Sequence, residues 1–245
     1  MDPAHLILIS FAIFVVAFLY SSVGHGGASG YIAVLTLAGF AAGTIKPTAF
    51  ILNILVAAIG AGQFWRAGHF SWKLFWPFAA LSVPAAYLGG SLDVSGTVFK
   101  PLVGAVLLFS AARLFIRQAE PDEVAVPPQP VALGVGAGIG LLAGLTGTGG
   151  GIFLTPLLLF CRWARTRTAA AVSAVFILVN SIAGLLGHFV SGKSVPAFAF
   201  TFALAAVVGG AFGSHLGSSR LPPRAIHLLL AAVLVIAGMK LMFSR

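Results

Sequence analysis

Residues 21–28, SSVGHGGA, and residues 146–151, TGTGGG, interrupt long apolar stretches of this chain with closely spaced glycines. We call them the first and the second glycine cluster. Glycine adopts positive φ angles and lets two backbones approach closely, but each glycine weakens a helix by about 0.5 to 1 kcal/mol relative to alanine. The two clusters therefore predict two helix breaks.

The chain around the clusters has the composition of a membrane protein. Of its 245 residues, 59% are hydrophobic and only 8% are charged, against roughly 25% charged in soluble domains. Lipid offers the backbone no hydrogen bonds, so a spanning segment must be a helix or part of a closed barrel, and long continuous apolar stretches favour helices. We expect an all-α, multi-pass integral membrane protein with about eight transmembrane helices.

The net charge of +9 comes from 14 Lys and Arg against 5 acids. In a soluble protein such a balance suggests nucleic acid, but here the arginines lie in short loops and at segment ends, where membrane proteins carry them. No nucleic-acid partner is expected. A single cysteine excludes an internal disulfide, and the absence of acids deep in any apolar stretch argues against a metal site or cofactor.

A polar stretch with four prolines, residues 117–130, divides the chain. We expect an exposed linker there, between a first transmembrane repeat, residues 1–116, and a second, residues 131–245. Each half holds four to five hydrophobic segments, and in each half a glycine cluster is followed by an intramembrane asparagine, Asn53 or Asn180. The matched order predicts an internal duplication.

The first two apolar runs of each half are short for a membrane core about 30 Å thick, which takes about 20 helical residues to cross. Two arrangements remain: a kinked single span, or a hairpin of two half-helices that returns to its own side. The hairpin collects most arginines on one face, as the positive-inside rule requires. We therefore predict two inverted repeats, each with its first segment broken at a glycine cluster and with both chain termini outside.

The glycine clusters are the candidate substrate site. Unwound backbone beside a helix N-terminus offers free amides and a positive dipole end, which attract anions. Close helix packing is the alternative for the glycines, and pinning of neighbouring helices is the alternative for the asparagines. The predicted substrate-binding residues are Ser21, Ser22, Gly24, His25, Gly26, Gly27, Asn53, Thr146, Gly147, Thr148, Gly149, Gly150, Gly151 and Asn180.

Two histidines are candidate proton carriers, because histidine titrates near neutral pH. His25 lies within the first glycine cluster, and this setting favours a functional role. His188 lies in a long apolar stretch, and there a satisfied hydrogen bond is the competing interpretation.

The run GTGGG at residues 147–151, followed by Pro156 and with a weaker copy at residues 24–28, resembles the TauE/SafE sulfite exporter family of TSUP-type membrane permeases. The similarity covers essentially the whole chain. The first copy departs from the pattern, because it holds His25 and Ala28 and has no counterpart of Pro156. The resemblance implies a permease for small sulfur-containing anions, such as sulfite or organosulfonates, in a bacterial-type inner membrane.

These observations together predict a transporter for a small anion that binds midway across the membrane. A passive anion channel is the first alternative. A membrane-embedded enzyme is the second, but the sequence lacks paired acids, metal-ligand spacing and a nucleophile with its base, so no enzyme activity is expected. Besides the substrate, the expected partner is the lipid bilayer. The sequence leaves open whether the protein forms a homo-oligomer.

Overall fold

The computed structural model describes residues 3–92 and 123–222, together with residues 108 and 112 and the pairs 224–225, 228–229, 231–232, 235–236 and 238–239. Within residues 3–92 and 123–222 the chain forms eight α-helices and one short 3-10 helix, and no strand. The all-helical prediction is therefore confirmed for the described residues. Of the predicted linker, residues 117–130, the structure describes residues 123–130.

The helices of the first half are α1 (Pro3–Ser22), α2 (Ala28–Leu37), α3 (Ala42–Arg66) and α4 (Trp72–Ser91). Those of the second half are α5 (Gln129–Thr146), α6 (Gly151–Phe160), α7 (Thr166–Val190) and α8 (Ala203–Ser219), with the 3-10 helix Ala197–Phe200 before α8. Five of these segments are long and apolar enough to cross a membrane. A multi-pass membrane protein follows from this architecture.

Both glycine clusters interrupt the helices. Gly24 has a φ of 78° directly after α1, and Gly147 has a φ of 80° directly after α5. The short helices α2 and α6 then begin after Gly27 and Gly150, whose φ angles are 101° and 85°. Only glycine adopts this left-handed region without strain, so the clusters set where these helices end and begin.

The first helix of each half is longer than its sequence suggests. Helix α1 has 20 residues and α5 has 18, and both qualify as membrane spans. The prediction that the first two runs of each half are short is therefore wrong for α1 and α5. Both helices carry a proline in the first turn, where its missing N–H leaves no hydrogen bond unmade. The short helices are α2 and α6, of 10 residues or about 15 Å each.

The chain reverses direction at each glycine cluster. A Cβ atom added at Gly30 of α2 would lie 2.5 Å from Cγ1 of Val16 in α1, which is only possible if α2 returns alongside α1. In the second half, the Ala125 amide before α5 donates to the carbonyl of Arg162 after α6 at 3.0 Å, so α6 ends beside the start of α5. Each break therefore joins a full-length helix to a short helix that turns back, rather than kinking a single span.

Helices α3 and α7 form the centre of the bundle. Phe50 of α3 lies against Gly184 of α7, whereas Gly60, later in α3, lies against Ala174, earlier in α7. The two helices therefore run antiparallel. Helix α7 has 78% of its most apolar window buried, the largest share among the candidate spans, so it lies inside the bundle.

Glycine stripes bring the remaining long helices together in two pairs. Glycines at every fourth position of one helix face successive backbone carbonyls of its partner, as small residues do throughout membrane bundles. Gly136, Gly140 and Gly144 of α5 face Phe78, Ser82 and Ala86 of α4, and Gly209, Gly213 and Gly217 of α8 face Phe14, Phe18 and Ser22 of α1. Residue numbers rise together in both pairs, so each pair is parallel.

This packing predicts a difference between two glycines of α5. In Gly140→Ala, the new methyl group collides with the Ser82 carbonyl, and overpacking against fixed backbone should lower the free energy of unfolding by about 1 to 3 kcal/mol. In the control Gly138→Ala, the methyl group meets no described atom within 4 Å, and stability should stay the same or rise slightly. Thermal unfolding in detergent measures both. Equal unfolding temperatures for the two variants would contradict the close packing of Gly140 against α4.

Candidate functional site

Asn53 lies where the two glycine clusters meet. Its side chain is fully buried in α3, and its Oδ1 accepts a hydrogen bond of 3.0 Å from the amide of Ala28, the first residue of α2. A Cβ atom added at Gly149 of the second cluster would lie 3.0 Å from Asn53 Nδ2. One amide side chain therefore contacts both helix breaks.

Ile177 and Ser181 of α7 form the opposite wall of this meeting point. A Cβ atom added at Gly149 would lie 2.7 Å from both Ile177 Cγ2 and Ser181 Oγ, and one added at Gly26 would lie 3.2 Å from Ile177 Cγ2. Asn53 Nδ2 also donates to Ser181 Oγ at 3.4 Å. The inner ends of both clusters are thus packed between α3 and α7.

The meeting point lies halfway along the two central helices. Asn53 is the twelfth residue of the 25-residue helix α3, and Ile177 is the twelfth residue of the 25-residue helix α7. Because α3 and α7 run antiparallel, their middles fall at the same height. A site here is equally far from both ends of the bundle.

The outer ends of the clusters lie far apart. Gly24 packs against the backbone of Ala170, which clusters with Phe64 near the end of α3. Gly147 packs against Lys46 near the start of α3, with its hypothetical Cβ atom 3.3 Å from Lys46 Cγ. The clusters therefore approach the middle from opposite ends of the bundle.

The predicted hydroxyl ligands lie at these outer ends. Ser22 Oγ donates to the Leu19 carbonyl at 2.7 Å, and Ser21 Oγ donates to the Phe18 carbonyl at 3.3 Å. In the second half, Thr146 Oγ1 lies 2.8 Å from Thr148 Oγ1. The structure does not bring the two serines together with the two threonines.

The backbone amides of the clusters fall into two groups. Those at the outer ends are paired: the Gly24 amide donates to Ser21 O at 3.0 Å, and the Gly147 amide donates to Ala143 O at 2.9 Å. The inner amides donate no hydrogen bond within the described part of the chain, although all four residues are buried. These are the amides of Gly26, Gly27, Gly149 and Gly150.

Unpaired buried amides are rare in native proteins, because each forfeits the hydrogen bond that it makes with water in the unfolded chain. Here they lie at the N-termini of α2 and α6, where the helix dipole adds positive potential. The arrangement can bind an acceptor with negative charge.

Asn180 occupies a different position from Asn53. It is the fifteenth residue of α7, so the two asparagines do not match in helix register. Its Oδ1 accepts from Ser82 Oγ of α4 at 2.8 Å, and its Nδ2 donates to Phe176 O at 2.9 Å. These contacts pin α7 to α4, and a substrate-binding role for Asn180 stays a prediction.

The two candidate proton carriers lie in different parts of the bundle. His25 is buried, and its Nε2 lies 2.8 Å from Oγ1 of Thr155 in α6, which in turn donates to Ser173 Oγ of α7 at 2.7 Å. His188 is buried in the last turn of α7, about 10 Å along the helix from Ser181. Only His25 belongs to the surroundings of the glycine clusters.

Sequence reasoning missed several polar residues around the clusters. Thr155 and Ser173 link His25 to the second half, and Tyr31 donates from its hydroxyl to Gly26 O at 2.8 Å. A polar side chain inside an apolar run was the available signal for all three. Ile177 carries no such signal, because its role depends only on where α7 crosses α3.

The chain is similar to known membrane transporters over nearly its full length. The family model described as Sulfite exporter TauE/SafE matches residues 9–241. The probable membrane transporter protein y4hK of Sinorhizobium fredii is 39% identical over 96% of this chain and 97% of its own length. The probable membrane transporter protein YjnA of Bacillus subtilis is 26% identical over 91% of this chain and 94% of its own. No solved structure matches the chain.

The contacts of Asn53 predict its contribution to stability. In Asn53→Ala the buried amide of Ala28 loses its acceptor, which should lower the free energy of unfolding by about 1 to 3 kcal/mol. Ser181→Ala removes only the long bond from Asn53 Nδ2 and should have less than half that effect. Thermal unfolding of the purified variants compares them. Equal losses would show that Asn53 does not cap α2.

Proposed function

Because the chain belongs to the Sulfite exporter TauE/SafE family of membrane transporters, we propose that it carries a small anion across the inner membrane. A sulfur oxyanion, such as sulfite or an organosulfonate, is the leading candidate. The proposed site lies between the inner ends of the two glycine clusters, with Asn53 fixing its geometry.

The four unpaired inner amides carry this proposal. They belong to two helix N-termini that meet at one side chain, and each terminus contributes roughly half a positive charge. An oxyanion has enough lone pairs to accept from several amides at once. Helices α1 to α8 contain no Asp or Glu, so nothing in these described helices competes with an anion or favours a cation.

The proposed depth follows from the central helices. Asn53 and Ile177 mark the middles of two 25-residue helices, each about 37 Å long and long enough to span a bilayer. Transporters of this general kind place their substrate near the midplane, between half-helix N-termini. Binding there keeps the anion equally distant from both membrane surfaces.

Helix directions support an inverted duplication. The third helices of the two halves, α3 and α7, run antiparallel, and the glycine-striped pairs α1 with α8 and α5 with α4 exchange first and fourth helices between the halves. An inverted repeat produces this exchange. The two clusters then form two unwound routes, one from each membrane surface to a common centre.

The charges orient the proposed transporter. The end of the bundle at which α3 finishes holds seven described basic residues, whereas the end at which it starts holds Lys46 and Lys193. By the positive-inside rule, the richer end faces the cytoplasm. Its basic residues are Arg66, Lys73, Arg162, Arg165, Arg167, Arg220 and Arg224.

Tight packing at the centre favours a transporter over a channel. An added Cβ atom at Gly149 or Gly26 would come within 3.2 Å of Ile177, so the two routes are separated by side chains rather than joined by an open pore. A transporter opens them in turn. Its flux saturates with concentration and supports counterflow, whereas a simple pore shows neither property.

We expect sulfite or an alkanesulfonate to raise the thermal stability of the purified protein above that in chloride at equal ionic strength. A ligand at 100 times its dissociation constant adds about 2.7 kcal/mol to the free energy of unfolding. Gly149→Ala should abolish this shift and reduce counterflow in vesicles at least tenfold, because its φ of 72° and its neighbours reject a methyl group. Gly134→Ala, which meets no described atom within 4 Å, is the control.

Either of two results would overturn the proposal. One is that no anion among sulfite, thiosulfate, alkanesulfonates, sulfate and monocarboxylates stabilises the parent protein or shows saturable flux. The other is that Gly149→Ala, shown to be folded by size-exclusion chromatography, binds and transports like Gly134→Ala.

The histidines provide a separate prediction about coupling. If His25 carries a proton during transport, His25→Gln should flatten the dependence of flux on pH between about pH 5 and 8. His188→Gln should leave that dependence in place, because His188 lies away from the clusters. Initial rates in vesicles at fixed anion gradient and varied pH measure this. A parental pH profile in His25→Gln would exclude His25 as the carrier.

A further inference from the structure

A cavity of about 480 Å³ lies at the cytoplasmic end of the bundle, where α4, α5 and α7 begin. Residues from the first turns of these helices line it together with residues 124–127 of the linker. No residue of either glycine cluster belongs to the lining. The cavity is therefore separate from the proposed transport site.

The polar part of the lining is cationic. Lys73 and Arg165 contribute an ammonium and a guanidinium group, and the hydroxyl groups of Ser71 and Thr168 lie in the same lining. Glu123, the only acid among the described residues, directly precedes the lining residue Val124, but it is exposed and is not part of the lining. The cavity thus favours a ligand with a negative head.

The rest of the lining is apolar. Leu74, Pro77, Val126 and Trp163 form much of the wall, and Val126 is 71% exposed. A small free oxyanion would leave this wall in contact with water. An amphiphile with an anionic head and a hydrocarbon body matches both parts of the cavity.

The cavity lies at the level of the membrane surface. All four tryptophans of the chain, Trp65, Trp72, Trp76 and Trp163, lie at this end of the bundle. Tryptophan is enriched where a membrane meets water. The linker is also fastened here, because the Ala125 amide donates to Arg162 O at 3.0 Å, so the wall is formed before any ligand arrives.

We propose that this cavity binds an anionic phospholipid of the cytoplasmic leaflet, with the phosphate held by Lys73 and Arg165 and the glycerol and upper acyl chains along Leu74, Pro77 and Val126. Basic pockets between membrane helices on the cytoplasmic side recognise lipid head groups through the same combination of charge and apolar wall. This proposal rests on the orientation of the bundle proposed above, but not on the identity of the transported anion.

Native mass spectrometry of the protein released from mixed micelles with phosphatidylglycerol or phosphatidylcholine tests the site. Each basic side chain near a membrane surface contributes about a fivefold preference for anionic lipid, so Lys73→Gln with Arg165→Gln should lower the affinity for phosphatidylglycerol about thirtyfold. Arg220→Gln, an exposed arginine at the same end but outside the lining, is the matched control. It should bind like the parent.

The exchange Lys73→Arg with Arg165→Lys keeps both charges and should retain binding, which separates lost charge from lost folding. Parental affinity in the double glutamine variant would overturn the proposal, as would an equal loss in Arg220→Gln. Binding of free glycerol 3-phosphate as tight as that of phosphatidylglycerol would also overturn it, because the apolar wall would then contribute nothing.

Discussion

This structure depends on one constraint: in a medium without water, backbone amides need hydrogen-bond acceptors inside the protein. In lipid every N–H must find an acceptor inside the protein, and within a helix the preceding turn supplies it. The breaks are different. At the first break, Asn53 supplies an acceptor to the Ala28 amide. Two inner amides at each break remain without an acceptor in the described chain. These four amides are the ones that the proposed anion would pair.

Glycine serves two distinct purposes in this chain, and the structure separates them. At Gly27 and Gly150 it permits a positive φ that begins a short helix. In the stripe around Gly140 it permits helices to touch at backbone distance. Close packing supports the helix breaks, because the striped pairs hold α1 against α8 and α5 against α4. The positions at which the unwound segments begin are thereby fixed. A mobile frame could not keep two helix N-termini aimed at one point.

Much of this architecture could be predicted from the sequence. The apolar composition predicts helices in a membrane, and the clustered glycines predict where two of the helices break. The length of α1 could not, because Ser21 and Ser22 look like the start of a loop yet continue the helix, where their hydroxyl groups donate to carbonyls of the preceding turn. The sequence also matches Asn53 with Asn180, but the structure does not place them at equivalent positions of α3 and α7. Three residues of helix register decide which asparagine faces the breaks, and only the crossing of α3 and α7 sets that register. The inner and outer ends of a cluster also look alike in sequence, although only the inner ends meet.

The two breaks are not equivalent, and this asymmetry bears on how the routes open. In the first cluster His25 reaches across to Thr155 of α6 and, through it, to Ser173 of α7. In the second cluster Thr148 bonds only with Thr146 beside it. The first cluster is therefore tied to the opposite half by a titratable side chain, whereas the second is held by local contacts and by the stem of Lys46 against Gly147. In the proposed transport cycle, moving the first cluster away from α6 breaks a hydrogen bond whose strength changes with the charge of the imidazole. Moving the second cluster breaks no hydrogen bond to a titratable ring in the described part of the chain. Any dependence of transport on proton concentration should for this reason act on one side of the membrane more than on the other.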